Sequence, residues 1–355
     1  APAYADVTAS AEVTVEANAT LNVSKRDDAT GQGLGNVKFN FYKDGNYEGS
    51  STTDGNGNVS FSFTSSYYAS SSSTKTYCSN YADLTDEMKA TVTGYKTYDA
   101  AYNAAYNEAY AQALSQANSA KSSTSHNYTA TEVTARNGYW LNPANTTVGQ
   151  NAAGDASLSV VKFNKRTTGS ITITKEDSET GATAQGDATL TGATYGLYAR
   201  NDIVHPDGHT GTLYKAGTLV ATFPATGEDH KATLNNLYLG NYYVKELTPS
   251  TGYLLDTKEY DVSITYEGQD VRNVVRTKTV TEDVIKGNIR LVKHLQERNP
   301  SDASKPQVPE QGAEFDIILK SSGVTYAHIV TDADGFAQAN LLPYGNYIVR
   351  QTKGK

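Results

Sequence analysis

Short runs of alternating apolar and polar residues dominate the chain. Examples are EVTVEA at Glu12, VKFNFY at Val37 and SITIT at Ser170. Because successive side chains of a β-strand point to opposite faces, this period predicts half-buried antiparallel strands. Turn sequences such as DGNGN at Asp54 and DADG at Asp332 separate such runs. Many short strands with regular turns favour β-sandwiches.

One order of elements occurs three times along the chain. Each copy opens on a strand that ends in lysine, at Lys25, Lys175 and Lys293. A Gly-Ala or Gly-Asn entry into a second strand follows. A tyrosine-containing strand comes later in each copy, as NYTATEV at Asn127, GNYYVKEL at Gly240 and GNYIVRQT at Gly345. Repetition of this kind predicts tandem domains.

The repeats set the expected domain boundaries. We expect domains over 18–168, 169–286 and 287–355. Residues 1–17 are expected to be a leader strand or the last strand of a preceding domain. The third copy stops just past its tyrosine-containing strand, so we expect it to be an incomplete domain.

An alanine-rich segment over about 85–120 interrupts the strand pattern. Its tyrosines are spaced by four, at Tyr98, Tyr102, Tyr106 and Tyr110. Residues four apart share one face of a helix. The segment is therefore predicted to be a helical insertion in the first domain, with its tyrosine stripe packed on the sandwich. A tyrosine platform for a ligand is the alternative.

Composition narrows the class of protein. The 355 residues carry a formal net charge of −8 and no run of basic residues, which argues against nucleic acid as a partner. No apolar run is long enough to cross a membrane. The single cysteine, Cys78, excludes an internal disulfide. The 26 tyrosines, many Thr, Ser, Asn and Gly residues and one methionine are typical of bacterial surface proteins.

Motifs for cofactors, metals and turnover chemistry are missing. Asp54 opens a loop with the early spacing of an EF-hand, but the required later Gly and Glu are not there, so we expect a hairpin turn. His205, His209 and His230 lie in loop-like sequence and are expected to be solvated. We expect no cofactor, no metal and no multiple-turnover enzyme activity.

Several pieces together resemble a known family. The lysine-ended strand, GATYGLY at Gly192 and GNYYVKEL followed by TPSTGYLLD are similar to the Cna B-type, SpaA-like domains of Gram-positive surface proteins and pilins. ELTPSTGY at Glu246 resembles the pilin E-box, and EVTARNGYW at Glu132 is a looser match. The resemblance implies an all-β fold: tandem immunoglobulin-like, prealbumin-like β-sandwiches in a rod, the first with a helical insertion.

The family resemblance also implies self-formed isopeptide bonds. In such domains a first-strand lysine joins a last-strand asparagine while a buried glutamate assists. Burial favours the neutral forms of both lysine and glutamate, which suits a nucleophilic amine and a proton shuttle. For the first domain the resemblance assigns Lys25 as nucleophile, Glu132 as shuttle and Asn164 as acceptor.

The second domain matches this pattern only in part. Lys175 and Glu246 match, but Glu282 stands where the acceptor asparagine is expected. The partner of Lys175 is left open between the adjacent Asp283 and the upstream Asn273. The alternative is a buried Lys175–Glu246 ion pair without a bond.

The third domain supplies Lys293 but has Gln351 in place of the glutamate. Its acceptor strand is not in the sequence, so no bond is expected there.

These features predict a secreted protein of the bacterial cell surface or wall, with a stalk-like structural and adhesive role. Its expected partners are a host extracellular protein or glycan, or other copies in a pilus. Two alternatives remain. One is a specific ligand-binding module that uses the first domain, and the other is an accessory region of a large extracellular enzyme.

Overall fold

A computed structural model describes residues 1–295, 304 and 308–354. The chain divides into two compact units. The first unit contains Ala1–Arg166 and Asp207–His209, and the second contains Thr167–Pro206 and Thr210–Lys355. Within the described ranges, no helix has both the length and the apolar character needed to cross a membrane.

The first unit is a two-sheet sandwich with a helical segment. Its elements are β1 (Tyr4–Asp27), β2 (Lys38–Lys43), β3 (Asn46–Thr52), β4 (Asn58–Cys78), a 3₁₀ turn (Tyr81–Asp83), α1 (Asp86–Lys89), α2 (Tyr98–Ser123), β5 (Ser125–Thr134), β6 (Thr147–Ala153) and β7 (Ala156–Asn164). One sheet has the order β4-β1-β7 and the other β3-β2-β5-β6. Because apolar residues alternate along the strands, Leu21, Phe39, Phe41 and Tyr128 meet in the core between the sheets.

β1 and β4 form an antiparallel two-stranded ribbon that extends well past the sandwich core. Their pairing runs from Tyr4 opposite Cys78 to Ser24 opposite Asn58. Residues 4–17 are therefore the first part of β1.

α2 packs on this β1–β4 ribbon through alanines. Five alanines spaced by four are fully buried: Ala101, Ala105, Ala109, Ala113 and Ala117. The tyrosines of the predicted stripe, Tyr98, Tyr102, Tyr106 and Tyr110, are 40–51% exposed. The prediction that these tyrosines pack on the sandwich is wrong. The alanine methyl groups are small and let α2 lie close to the β1–β4 ribbon, where Ala113 and Ala117 pack with Val13.

The second unit begins with a sandwich of the same topology. Its strands are β8 (Thr168–Asp177), β9 (Thr194–Ala199), β10 (Ile203–Val204), β11 (Thr212–Tyr214), β12 (Leu219–Thr222), β13 (Lys231–Leu237), β14 (Gly240–Thr248), β15 (Tyr260–Ile264) and β16 (Asn273–Glu282). β8 lies between the antiparallel β13 and the parallel β16, as β1 lies between β4 and β7. The facing sheet has the order β12-β9-β14-β15, and β10 pairs with β11.

Five more strands complete the described part of the second unit. They are β17 (Lys286–Val292), β18 (Glu314–Leu319), β19 (Thr325–Val330), β20 (Phe336–Pro343) and β21 (Tyr347–Lys353). They form the sheets β17-β20 and β19-β18-β21 around a small core that includes Ile317 and Leu342. Among the described residues β17 pairs with β20 alone, whereas β1 and β8 each also have a parallel partner.

Candidate functional site

The first and last strands of the first sandwich lie side by side. In the parallel β1–β7 ladder Lys25 is opposite Lys162 and Asp27 is opposite Asn164. Alternate residues of a strand share one face. All four side chains are buried, so this face of both strands points to the interior.

Glu132 of β5, in the facing sheet, completes a buried cluster of three polar side chains. Lys25 Nζ donates to Glu132 Oε2 and to Asn164 Oδ1, each at 2.5 Å. Asn164 Nδ2 donates to Glu132 Oε1 at 2.6 Å. The side chains of Lys25 and Glu132 are inaccessible to solvent. The three residues named for the first domain are thus in mutual contact.

The surroundings of Lys25 favour its reactive form. Burial lowers the pKa of Lys25 from 10.5 to about 8, although the Glu132 carboxylate opposes this change. Roughly a tenth of such an amine is neutral at pH 7, and the neutral amine is the nucleophile. Because Glu132 contacts both the amine and the amide nitrogen, it can carry a proton from one to the other.

A buried tyrosine–aspartate pair lies beside the cluster, and sequence analysis missed it. The Tyr139 hydroxyl donates to Asp27 Oδ2 at 2.6 Å. In the second sandwich the Tyr253 hydroxyl donates to Asp177 Oδ2 at 2.7 Å. The signal was present in the sequence. Both aspartates lie two residues after the strand lysine, and both tyrosines follow a glycine in the E-box-like segments.

The second sandwich carries a carboxylate at the position of the first sandwich's asparagine. In the parallel β8–β16 ladder Glu282 is opposite Asp177. Asn164 is opposite Asp27 in the same way, and each aspartate lies two residues after its strand lysine. Glu282 is therefore the structural equivalent of Asn164.

Glu282 is the nearest partner of Lys175. Lys175 Nζ contacts Glu282 Oε2 directly and lies 3.5 Å from Glu246 Oε1. The Tyr195 hydroxyl donates to Glu282 Oε1. All four residues are buried, with residue exposures of 0–3%.

Neither acceptor that was left open for Lys175 reaches it. Asn273 lies at the other end of β16, seven residues before Val280, which is opposite Lys175. That separation is about 23 Å along a strand. The Asp283 carboxylate is exposed and accepts from the Ser178 hydroxyl at 2.5 Å. Asp283 directly follows Glu282, the last residue of β16, and its side chain is exposed where that of Glu282 is buried.

The buried cluster of Lys175, Glu246 and Glu282 in the second sandwich contains a protonated carboxyl group. Burial and the adjacent Glu282 carboxylate raise the pKa of Glu246 to about 8. The backbone N–H of Asp256 donates to Glu246 Oε2 at 2.7 Å and opposes this change in part. Glu246 is therefore mostly neutral at pH 7. Lys175 lies within ion-pair distance of Glu246, as in the alternative left open for this domain, but its nearer partner is Glu282.

The third strand lysine has a different environment. The Lys293 side chain is 33% exposed, and its Nζ is 3.7 Å from Glu310 Oε2. Gln351 is exposed and donates to the carbonyl of Lys353 at 3.2 Å. Glu310 was not anticipated, because it precedes β18 and lies outside the repeated pattern.

A family model matches the second sandwich. Residues 169–279 match the SpaA family, described as a prealbumin-like fold domain. The match covers 111 of the 355 residues and concerns this segment alone. The match confirms the family resemblance and, together with the strand content of the chain, the predicted all-β sandwich fold.

One solved structure shows a likeness of fold over most of the chain, and two pilin structures give weaker matches. The Bacillus anthracis TIE protein is 17% identical over 95% of this chain, with a TM-score of 0.58, and the chain spans 46% of that structure. The shaft pilin SpaA from Lactobacillus rhamnosus GG is 13% identical, with coverage of 76% and 98% and a TM-score of 0.24. The minor pilin GBS52 of Streptococcus agalactiae is 12% identical, with coverage of 76% and 97% and a TM-score of 0.25. The two pilins add nothing to the fold argument at these TM-scores. No curated protein matches the chain.

Proposed function

We propose that this chain is a structural and adhesive segment of a Gram-positive bacterial surface protein, and that an amide bond between Lys25 and Asn164 closes its first sandwich. One observation carries the proposal: amine, amide and carboxylate converge within 2.6 Å of one another in a buried site. Geometry of this kind replaces an external catalyst, because the reacting groups are already oriented.

The reaction is a single-turnover amide exchange. The neutral Lys25 amine attacks Cγ of Asn164 and forms the new C–N bond. Glu132 takes a proton from the attacking nitrogen and gives it to Nδ2 of Asn164. The Asn164 C–N bond then breaks and ammonia leaves. Glu132 ends in its starting protonation state, and no other reactant is consumed.

The position of the bond suits a segment under tension. β1 and β7 are adjacent and parallel, so pulling on the two ends of the sandwich loads them in opposite directions. The bond would join positions 139 residues apart and carry that load directly. Unlike a disulfide, an amide does not respond to redox conditions, which fits an extracellular site.

Intact mass and peptide mapping test the bond. We expect a deficit of one ammonia in the first sandwich, and a tryptic product in which residues 1–26 are joined to 163–165. Lys25→Arg should abolish the joined product, while Lys162→Arg, a change at a second buried lysine, should retain it. Free peptides 1–25 and 163–165 from the unmodified protein would refute the bond.

The exposed tyrosines of α2 favour a second candidate function, binding of a host protein or glycan. Tyr98 and Tyr102 stack with ring centroids 6.1 Å apart, and Tyr106 and Tyr110 with centroids 6.5 Å apart. Exposed aromatic faces of this kind suit sugar rings or apolar side chains. The test compares the full chain with a variant carrying all four Tyr→Gln changes on arrays of glycans and matrix proteins. Loss of a signal only in the variant supports binding, and identical profiles reject it.

A further inference from the structure

The second sandwich has a buried lysine and a carboxylate in contact, where the first sandwich has a lysine and an amide. We propose that Lys175 and Glu282 condense into an amide bond with release of one water. The inference rests on the chemistry proposed for the first sandwich, but it concerns a separate site and a different leaving group. Glu282 occupies the place of Asn164 in the strand register, and its Oε2 contacts the Lys175 amine.

The two sandwiches also differ in the facing sheet, at the residue opposite the buried glutamate. Phe39 is opposite Glu132 in the first sandwich, and Tyr195 is opposite Glu246 in the second. The extra hydroxyl of Tyr195 donates to Glu282 Oε1. One carboxyl oxygen is thereby held by a donor while the other meets the amine. The held oxygen becomes the carbonyl oxygen of the amide, and the hydroxyl stabilises the negative charge that develops on it during attack.

Glu246 is placed to move protons between the reacting groups. Its Oε1 is 3.5 Å from Lys175 Nζ and has no hydrogen-bond partner among the described residues. Its Oε2 is fixed by the Asp256 backbone N–H. A buried oxygen without a hydrogen bond is costly, and this one lies beside the amine, within reach for proton transfer in the reaction.

The proposed step balances. The starting state is the ion pair of Lys175 and Glu282. Two protons leave the lysine nitrogen and reach Oε2 by way of Glu246, the C–N bond forms, and the C–Oε2 bond breaks to release water. Glu246 ends as it began. The product removes both charges from a site with 0–2% exposure, where an ion pair pays a large desolvation cost.

Peptide mapping of the full chain tests the proposal. The expected product joins residues 167–200 to 279–286 with the loss of one water, because trypsin cannot cut at an acylated Lys175. The intact mass should then be short by one ammonia and one water. Free peptides 167–175 and 279–286 would overturn the inference. The first sandwich reports separately through residues 163–165, so failure of one bond is distinguishable from failure of the other.

Three variants make the test specific. Glu282→Gln should yield the same joined product, but its mass deficit becomes one ammonia because the leaving group has changed. Tyr195→Phe, which restores the residue type of the first sandwich, should lower the joined fraction in freshly made protein. Lys175→Arg should give no joined product from the second sandwich and keep the first sandwich's ammonia deficit, which shows that the first sandwich has folded. A joined product in Glu282→Gln together with free peptides in the unmodified protein would reject glutamate as the acceptor.

Discussion

Replacing Lys25 with methionine tests the covalent closure of the first sandwich through its stability. Lys25 and Asn164 are 139 positions apart, and the chain-entropy relation for a loop of this length gives about 5 kcal/mol. Methionine nearly fills the space of the lysine stem, so the cavity contribution is small. For a unit of this size, the loss corresponds to a fall in Tm of roughly 10–20 °C.

The matched control is Lys162→Met. Lys162 is buried on the neighbouring strand, and its Nζ donates to Asn145 Oδ1 at 2.7 Å, but it is not a partner in the bond. Its replacement should cost about 1 kcal/mol and leave the ammonia deficit intact. Calorimetry of the full chain, paired with intact mass, gives both quantities. Equal falls in Tm for the two variants, or an ammonia deficit that survives Lys25→Met, would refute the reasoning.

Three further predictions concern protonation and packing. In Asn164→Leu, Lys25 stays a free amine, and the free energy of unfolding measured in urea should rise by about 3 kcal/mol between pH 8 and 10.5. The reason is that in this pH range Lys25 is protonated only in the unfolded state. Unmodified protein should show no such rise. The second unit should lose stability in urea as pH rises from 4.5 towards 8, since Glu246 keeps its proton only when folded, and Glu246→Gln should flatten that dependence. Ala109→Leu should destabilise the first unit by about 1–3 kcal/mol through overpacking, whereas Ala111→Leu on the exposed face should change its Tm little.

The sequence was sufficient for the strands, because the alternation of apolar and polar residues and the repeated order of elements predict them directly. The three residues of the first cluster, Lys25, Glu132 and Asn164, came from the family resemblance and not from the period. Their side chains are in mutual contact in the structure.

Reasoning from residue type failed where position mattered more. Sequence analysis noted Glu282 where the acceptor asparagine is expected, but it left the partner of Lys175 open between Asn273 and Asp283. The strand register places Asn273 at the far end of β16, and the Asp283 carboxylate accepts from Ser178 instead. In α2 the tyrosines attracted the packing prediction because they are large, although the alanine row at the same spacing was equally visible and makes the closer contact.

The 24-residue length of β1 has a consequence for how tension travels through the first unit. A β-strand already rises about 3.2–3.4 Å per residue, close to the limit of a taut chain. If every hydrogen bond between β1 and β4 broke, the segment from Tyr4 to Lys25 would lengthen by only roughly 5 Å. β1 can therefore lengthen very little under tension. β4 and α2, which pack on β1, make it stiffer against bending but do not make it more extensible along its axis.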